Sequence, residues 1–266
     1  MVFLNNSESV LRLGAFISVL ALMALFEAVF PRRGRGQKRR MRWATNLLLV
    51  VIDTIALRLA LPIVAMGMAV IAETRGWGLL NQIVWPPWLE MLIAIIVLDF
   101  LIYWQHVASH RIPVFWRIHK VHHADRDIDV TTGVRFHPVE IILSMTYKII
   151  SICLLGPTVV TVFIFEVMLN TCAMFNHANL RLPLWLDKTI RLLVVTPDMH
   201  RVHHSAVVQE TNSNYGFSLS IWDRVFGSYI AQPRDGHSAM TIGLSDYQSE
   251  APNSLIWTLT IPFRRK

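Results

Sequence analysis

"LEMLIAIIVLDFLIYWQHVASH" (89–110) is almost wholly apolar until Trp104 and then runs straight into two histidines. A helix that crosses a bilayer needs about 20 such residues. His106 and His110 are four apart, so on a continuing helix they share a face. The stretch therefore predicts a membrane helix that delivers two imidazoles to its polar end.

The rest of the chain supports a membrane protein. Of 266 residues, 53% are hydrophobic and 16% charged, with mean hydropathy +0.43; soluble domains carry about 25% charged residues. Before 89–104 come two more candidate spans, 13–30 and 46–72, the second bent at Pro62. Between 73 and 88, Trp77, Trp85 and Trp88 suit a membrane interface. After it, 140–170 is too long for one span, and Gly156-Pro157 divides it into a spanning or re-entrant hairpin. Cys153 and Cys172 lie in apolar stretches, which argues against a disulfide framework. The N-terminal apolar run has no basic leader or small-residue cleavage site, so it reads as a retained span.

The formal charge of +7 is unevenly placed, with seven Lys/Arg in "PRRGRGQKRRMR" (31–42). A basic block beside an apolar span marks a cytoplasmic loop facing anionic lipid. It is too short, and too tightly wedged between apolar segments, to be a nucleic-acid surface. With that loop in the cytoplasm, parity brings both histidine-rich regions, 106–123 and 200–204, to the cytoplasmic side. The expected fold is all-α: a polytopic bundle of about four spans under a cytoplasmic, histidine-rich helical cap. Its parts are 1–88 (N-terminal spans and basic loop), 89–235 (histidine-box region) and 236–266 (C-terminal tail), in one integrated unit.

Eight of the eleven histidines fall into three motifs: "HVASH" (106–110), "HKVHH" (119–123) and "HRVHH" (200–204). His119, His122 and His123 are spaced i, i+3, i+4, as are His200, His203 and His204, so each set can aim at one point on a helix. "TPDMHRVHH" carries its own helix start: Thr196 as N-cap, Pro197 in first position and Asp198 in the first turn. Neutral imidazole is a common metal ligand suited to iron, zinc, copper and nickel. Glu166, Asn170 and His177 lie along one helical face, which makes His177 a candidate ninth ligand supported from beneath. Asp99, two turns before His106, is placed to accept a ligand's ring N–H. His137 in "RFHPVE" reads as a ligand or a nearby hydrogen-bonding residue, and His237 as structural. Nine imidazoles exceed one metal's capacity and suit two, with Asp198, Asp125 and Asp127 available to offset the positive charge.

The motifs "DFLIYWQHVASH", "WRIHKVHHAD", "RFHPVE", "FNHANL", "TPDMHRVHHS" and "NYGFSLSIWDRVFGSY", spanning about 90–230, resemble the fatty acid hydroxylase / sterol desaturase superfamily of membrane di-iron oxygenases. The resemblance implies metal ligands at His106, His110, His119, His122, His123, His200, His203 and His204, with His177 as the intervening one. It also implies two iron ions, molecular oxygen, and an external electron donor such as a cytochrome b5-like protein, a ferredoxin or a reductase. The implied reaction is oxidation of unactivated C–H bonds in a membrane lipid, by hydroxylation, desaturation or ether cleavage. No protein acid or base beyond the metal ligands is required, because the cofactor carries the hard chemistry. The last motif holds no metal box; Trp222, Phe226 and Tyr229 are expected to pack it against the cap and Asp223 to pair with Arg224. The basic loop is a candidate dock for an acidic electron carrier.

Three other readings are weaker. A membrane zinc hydrolase would carry an H-E-x-x-H ligand pair, which is absent from the sequence. A non-enzymatic haem or metal carrier would set paired histidines on facing spans, and a metal transporter would hold ligands near the bilayer midplane. Short loops point to a bacterial inner membrane, with the endoplasmic reticulum as the alternative.

Overall fold

A computed structural model describes residues 6–264; the outermost residues of the two end segments lie outside the described ones. The described residues form helices and no strand. In chain order these are α1 (Asn6–Val29), α2 (Arg39–Ala60), α3 (Ala65–Arg75), α4 (Pro87–Arg111), α5 (Pro113–His123), α6 (Pro138–Leu155) and α7 (Val159–His177). Six shorter ones follow: α8 (Leu184–Ile190), α9 (Pro197–His203), α10 (Val208–Thr211), α11 (Ile221–Val225), α12 (Gly236–Ala239) and α13 (Leu255–Thr260).

Among the described residues, five segments are long and apolar enough to cross a membrane: Val10–Val29, Arg39–Gln82, Pro87–Arg111, Pro138–Leu155 and Val159–His177. This is one more than the sequence count of about four, because 140–170 resolves into two full-length helices. The second segment is broken between α2 and α3, where Pro62 cannot continue the hydrogen-bond ladder. Gly156 ends α6 in the left-handed conformation, φ 73°. A side chain there would strike the Trp77 carbonyl at 2.4 Å, so glycine is required for this close approach.

Lipid tails are as apolar as leucine, so close packing rather than burial from water holds such helices together. Ala65 and Ala69 of α3 and Ala94 of α4 are completely buried, and their small side chains allow backbones to approach. Glu90 ties α4 to the start of α7, accepting from the Thr158 amide and the Thr161 hydroxyl at 3.0 and 2.8 Å.

The polar end of the bundle is clamped by buried ions. Arg42 meets Asp125 through two bonds of 2.7 and 2.8 Å and Asp129 through a third of 2.7 Å. Burial pushes the Asp125 carboxyl up, but Arg42 overrides it and holds the group at about 2. Arg135 binds the Val121 carbonyl, Asn46 and the Pro252 carbonyl at 2.9, 2.7 and 2.8 Å, so α2, α5 and the C-terminal segment share one hub.

That hub corrects the reading of the basic loop. Arg42 is buried, Arg32 pairs with Asp198 at 3.0 Å, and Arg33 donates to the Met240 carbonyl at 2.9 Å. These cations clasp the loop to the cap rather than facing lipid or a partner. Arg35, Lys38 and Arg40 stay exposed.

Candidate metal centre

Four helix ends carry the nine candidate ligands to one place. His106 and His110 lie in the last turns of α4. His119, His122 and His123 end α5, and His177 ends α7. The fourth end is α9, where Thr196 caps through the Met199 amide and Pro197 opens the helix, as the sequence predicts. The nine imidazoles sort into two buried groups: His106, His110, His119, His123 and His203 in one, and His122, His177, His200 and His204 in the other. Within each group the candidate ligand nitrogens lie within 4.8 Å of one another.

The outer hydrogen bonds fix which nitrogen faces inward. A carbonyl oxygen cannot donate, so a ring nitrogen bonded to one must carry the proton. His106 Nδ1 bonds the Tyr215 carbonyl at 2.8 Å and His203 Nδ1 the Ser213 carbonyl at 2.7 Å. Likewise His122 Nδ1 bonds the Arg135 carbonyl at 3.2 Å and His177 Nδ1 the Ala173 carbonyl at 2.7 Å. In neutral rings of this tautomer, Nε2 presents a bare lone pair. Yet His106 and His203 meet Nε2 to Nε2 at 3.1 Å, as do His122 and His177. Two lone pairs at that distance repel, so these are not hydrogen bonds; a cation held between them turns the contact favourable. The Nε2 atoms of His110, His119, His123 and His204 are buried without a hydrogen-bond partner. The donor set therefore fits one ion in each group.

The rings are also kept neutral, as ligation requires. His122, His123, His200 and His204 are held well below the ordinary imidazole value, first by burial and then by neighbouring imidazoles. Burial lowers His203 to about 3.

Glu140 is the functional candidate that sequence reasoning missed. Its Oε1 lies 2.5 Å from His119 Nδ1, where a carboxylate orients the ring and raises its basicity. The position falls inside the quoted "RFHPVE", at the start of α6, but nothing in the spacing ties it to α5. Gly133 also matters: a side chain there would meet the Ala173 carbonyl at 2.6 Å, beside His177 Nδ1.

The supporting residues expected from sequence land elsewhere. Asp99 accepts from the Leu219 amide and Trp222 Nε1 at 3.1 and 2.9 Å, not from His106. Seven residues of helix rise about 10 Å, too far for a hydrogen bond. Glu166 pairs with Arg12 and with Lys148, the latter at 3.0 Å, and does not support His177. Asn170 borders the cavity described below. His137 caps α6, accepting from the Val139 amide at 3.2 Å, and bonds the Leu259 carbonyl; it belongs to neither group. Asp198 joins Arg32 and Arg201, with His237 Nε2 3.5 Å away, and Asp127 accepts from the Gly36 amide. Asp125 is spent on Arg42, and none of these three carboxylates is hydrogen-bonded to the nine candidate ligands, although the Asp125 charge is felt at His177.

Asp223 does not pair with Arg224. It accepts from the Tyr215 and Gly216 amides, both at 2.7 Å, and so fixes the loop whose carbonyl holds His106. Trp222 and Phe226 pack on Phe100 and Trp104 of α4, each at 5.1 Å between ring centres, while Tyr229 lies under Arg224.

Two adjoining cavities lead to the five-histidine group. One of about 140 Å³ is bordered by His106, His119, Glu140 and Phe136. The other, about 240 Å³ and largely apolar, is bordered by Trp104, Phe115, Leu143 and Tyr147; both share Gln105, Ser109, Glu140 and Ser144.

The sequence is similar to several known proteins. An ornithine lipid hydroxylase of Rhizobium tropici is 26% identical over 260 residues, covering 94% of this chain and 75% of that protein. An alkylglycerol monooxygenase of Xenopus tropicalis is 30% identical over 154 residues, 56% of this chain but 31% of that protein. A methylsterol monooxygenase of Arabidopsis thaliana is 26% identical over 158 residues, 58% of this chain and 59% of that protein. The chain thus spans three quarters of the rhizobial relative but about a third of the alkylglycerol monooxygenase. No solved structure matches. The fatty acid hydroxylase pattern matches residues 91–228, more than half of the sequence and every candidate ligand, and the chain belongs to the fatty acid hydroxylase family of oxidoreductases.

Proposed function

We propose that this protein oxidises an unactivated C–H bond of a membrane lipid, using molecular oxygen and two iron ions held by the nine imidazoles. The balance for hydroxylation is one lipid, one dioxygen, two electrons and two protons in, and one alcohol and one water out. The observation that carries the reading is the set of close Nε2–Nε2 contacts: His106–His203 at 3.1 Å in one group, and His122–His177 at 3.1 Å with His177–His200 at 3.0 Å in the other. Iron bound there would supply the oxygen chemistry and the oxidising power.

The chain's own residues do the rest. His106, His110, His119, His123 and His203 hold one ion; His122, His177, His200 and His204 hold the other. The Tyr215, Ser213, Arg135 and Ala173 carbonyls and the Glu140 carboxylate fix the tautomers and ring angles. The apolar cavity beside Trp104 and Leu143 accepts the hydrocarbon part of the lipid and excludes water around the bond to be broken. Electrons come from a separate redox protein. The basic loop lies on the same end as the histidines through Arg32–Asp198, and the positive-inside rule then puts the cap in the cytoplasm, of a bacterial inner membrane given the short loops.

The test is metal analysis with lipid profiling. Purified protein is expected to hold two iron ions per chain. Cells expressing it under oxygen should gain an oxidised lipid that cells expressing His122→Ala or His203→Ala lack. Full oxidation by protein free of transition metal, or zinc with oxygen-independent hydrolysis, overturns the reading.

A further inference from the structure

A third cavity, of about 720 Å³, reaches the five-histidine group from another side, with His110 and Trp116 on its wall. Unlike the apolar cavity beside Trp104, it has a cationic wall: Arg117, Lys120 and Arg264 border it, opposed by Asp246. Lys120 is the unusual member. It sits inside the "HKVHH" motif on α5, yet it is 6% exposed and lines this cavity instead of facing the metal groups. Its ammonium lies 3.5 Å from the Tyr247 hydroxyl and 5.7 Å from that ring's centre. A buried ammonium with so weak a partner is costly unless an anion joins it. Arg117 and Arg264 place two guanidinium groups on the same wall, a type of group that binds carboxylate or phosphate through paired hydrogen bonds.

The surroundings indicate where the anion comes from. Val208, on the wall itself, is 65% exposed, and Phe263, next to Arg264, is 67% exposed. Val114 and Phe115 precede Trp116 on α5 and are also exposed. Cations ringed by exposed apolar side chains match the headgroup region of a bilayer.

We propose that this cavity is a subsite for the anionic headgroup, phosphate or carboxylate, of a membrane lipid. It rests on the reading of the protein as a lipid oxidase, and it names the class of substrate: a lipid whose polar end carries a negative charge. Lys120 forms the buried floor contact, and Arg117 and Arg264 close on the group from the rim.

The test is a binding measurement that does not depend on turnover. Full-length, metal-loaded protein in phosphatidylcholine nanodiscs is titrated with dihexanoyl phosphatidic acid, dihexanoyl phosphatidylcholine and inorganic phosphate. The expected result is that phosphatidic acid binds at least about tenfold more tightly than either competitor. Arg117→Gln and Arg264→Gln, at exposed positions, each weaken it about tenfold, and Lys120→Met weakens it further, while Arg35→Gln on the basic loop does not. Equal binding of the two lipids, free phosphate binding as tightly as the lipid, or unchanged affinity in all three variants overturns the proposal. His203→Ala separates this idea from the oxidase reading: it should remove oxidation and leave the headgroup preference in place.

Discussion

Glu140 and His119 face each other from the start of α6 and the end of α5, carboxylate oxygen to Nδ1 at 2.5 Å. Four other candidate ligands use backbone carbonyls for the same purpose, so this is the orienting contact that a side-chain substitution can reach. Glu140→Gln keeps an acceptor and should retain both ions. Glu140→Ala should weaken metal binding about 10- to 100-fold. Metal-to-protein ratios after dialysis against graded chelator check this; equal retention by the two variants contradicts it.

Removing Arg42 strands Asp125 and Asp129 in the interior. Arg42→Met should cost about 3–5 kcal/mol, as expected when one member of a buried ion cluster is lost. The comparison is Arg35→Met, an exposed cation of the same loop, which should change the thermal midpoint little.

Ser144 borders both cavities that approach the five-histidine group. Ser144→Phe fills the path without touching a ligand. Lipid oxidation should fall by roughly tenfold or more through misplacement of the substrate, with metal content unchanged. Loss of metal alongside activity would show that the residue supports the ligands instead.

Metal-free protein should be acid-sensitive in a defined window. Burial, reinforced by neighbouring imidazoles, holds His122, His123, His200 and His204 well below their ordinary value, and burial takes His203 to about 3. The unfolded chain takes up protons near 6.5, whereas the folded chain does not. The stabilisation is therefore complete above about pH 6.5 and declines as pH falls toward 3. Thermal midpoints of chelated protein should be level above about pH 6.5 and drop between about pH 6.5 and 5; a flat profile across that window contradicts the burial of neutral rings.

The convergence of the eight motif histidines was legible because i, i+4 and i, i+3, i+4 spacings are properties of one helix, and each motif sits on one. Thr196-Pro197-Asp198 announced α9, and Pro62 and Gly156-Pro157 announced the breaks, for the same local reason. What supports the ligands was not legible. Asp99 and Glu166 share a helix with ligands, but along-axis distance separates them, and they serve Trp222 and Lys148 instead. The groups that orient the rings are mostly backbone carbonyls, which have no signature in sequence. Glu140 reaches His119 from another helix, a contact only tertiary packing creates.

The two histidine groups differ in their access to the outside. His106, His110 and His119 open onto cavities, whereas His122, His177, His200 and His204 border none of those described. Ions held in the two places would then exchange at unequal rates. A chelator would strip the outer one first, through an existing passage. With two ions bound as proposed, metal starvation would leave half-loaded protein, and a single ion delivered to the exposed half would restore it.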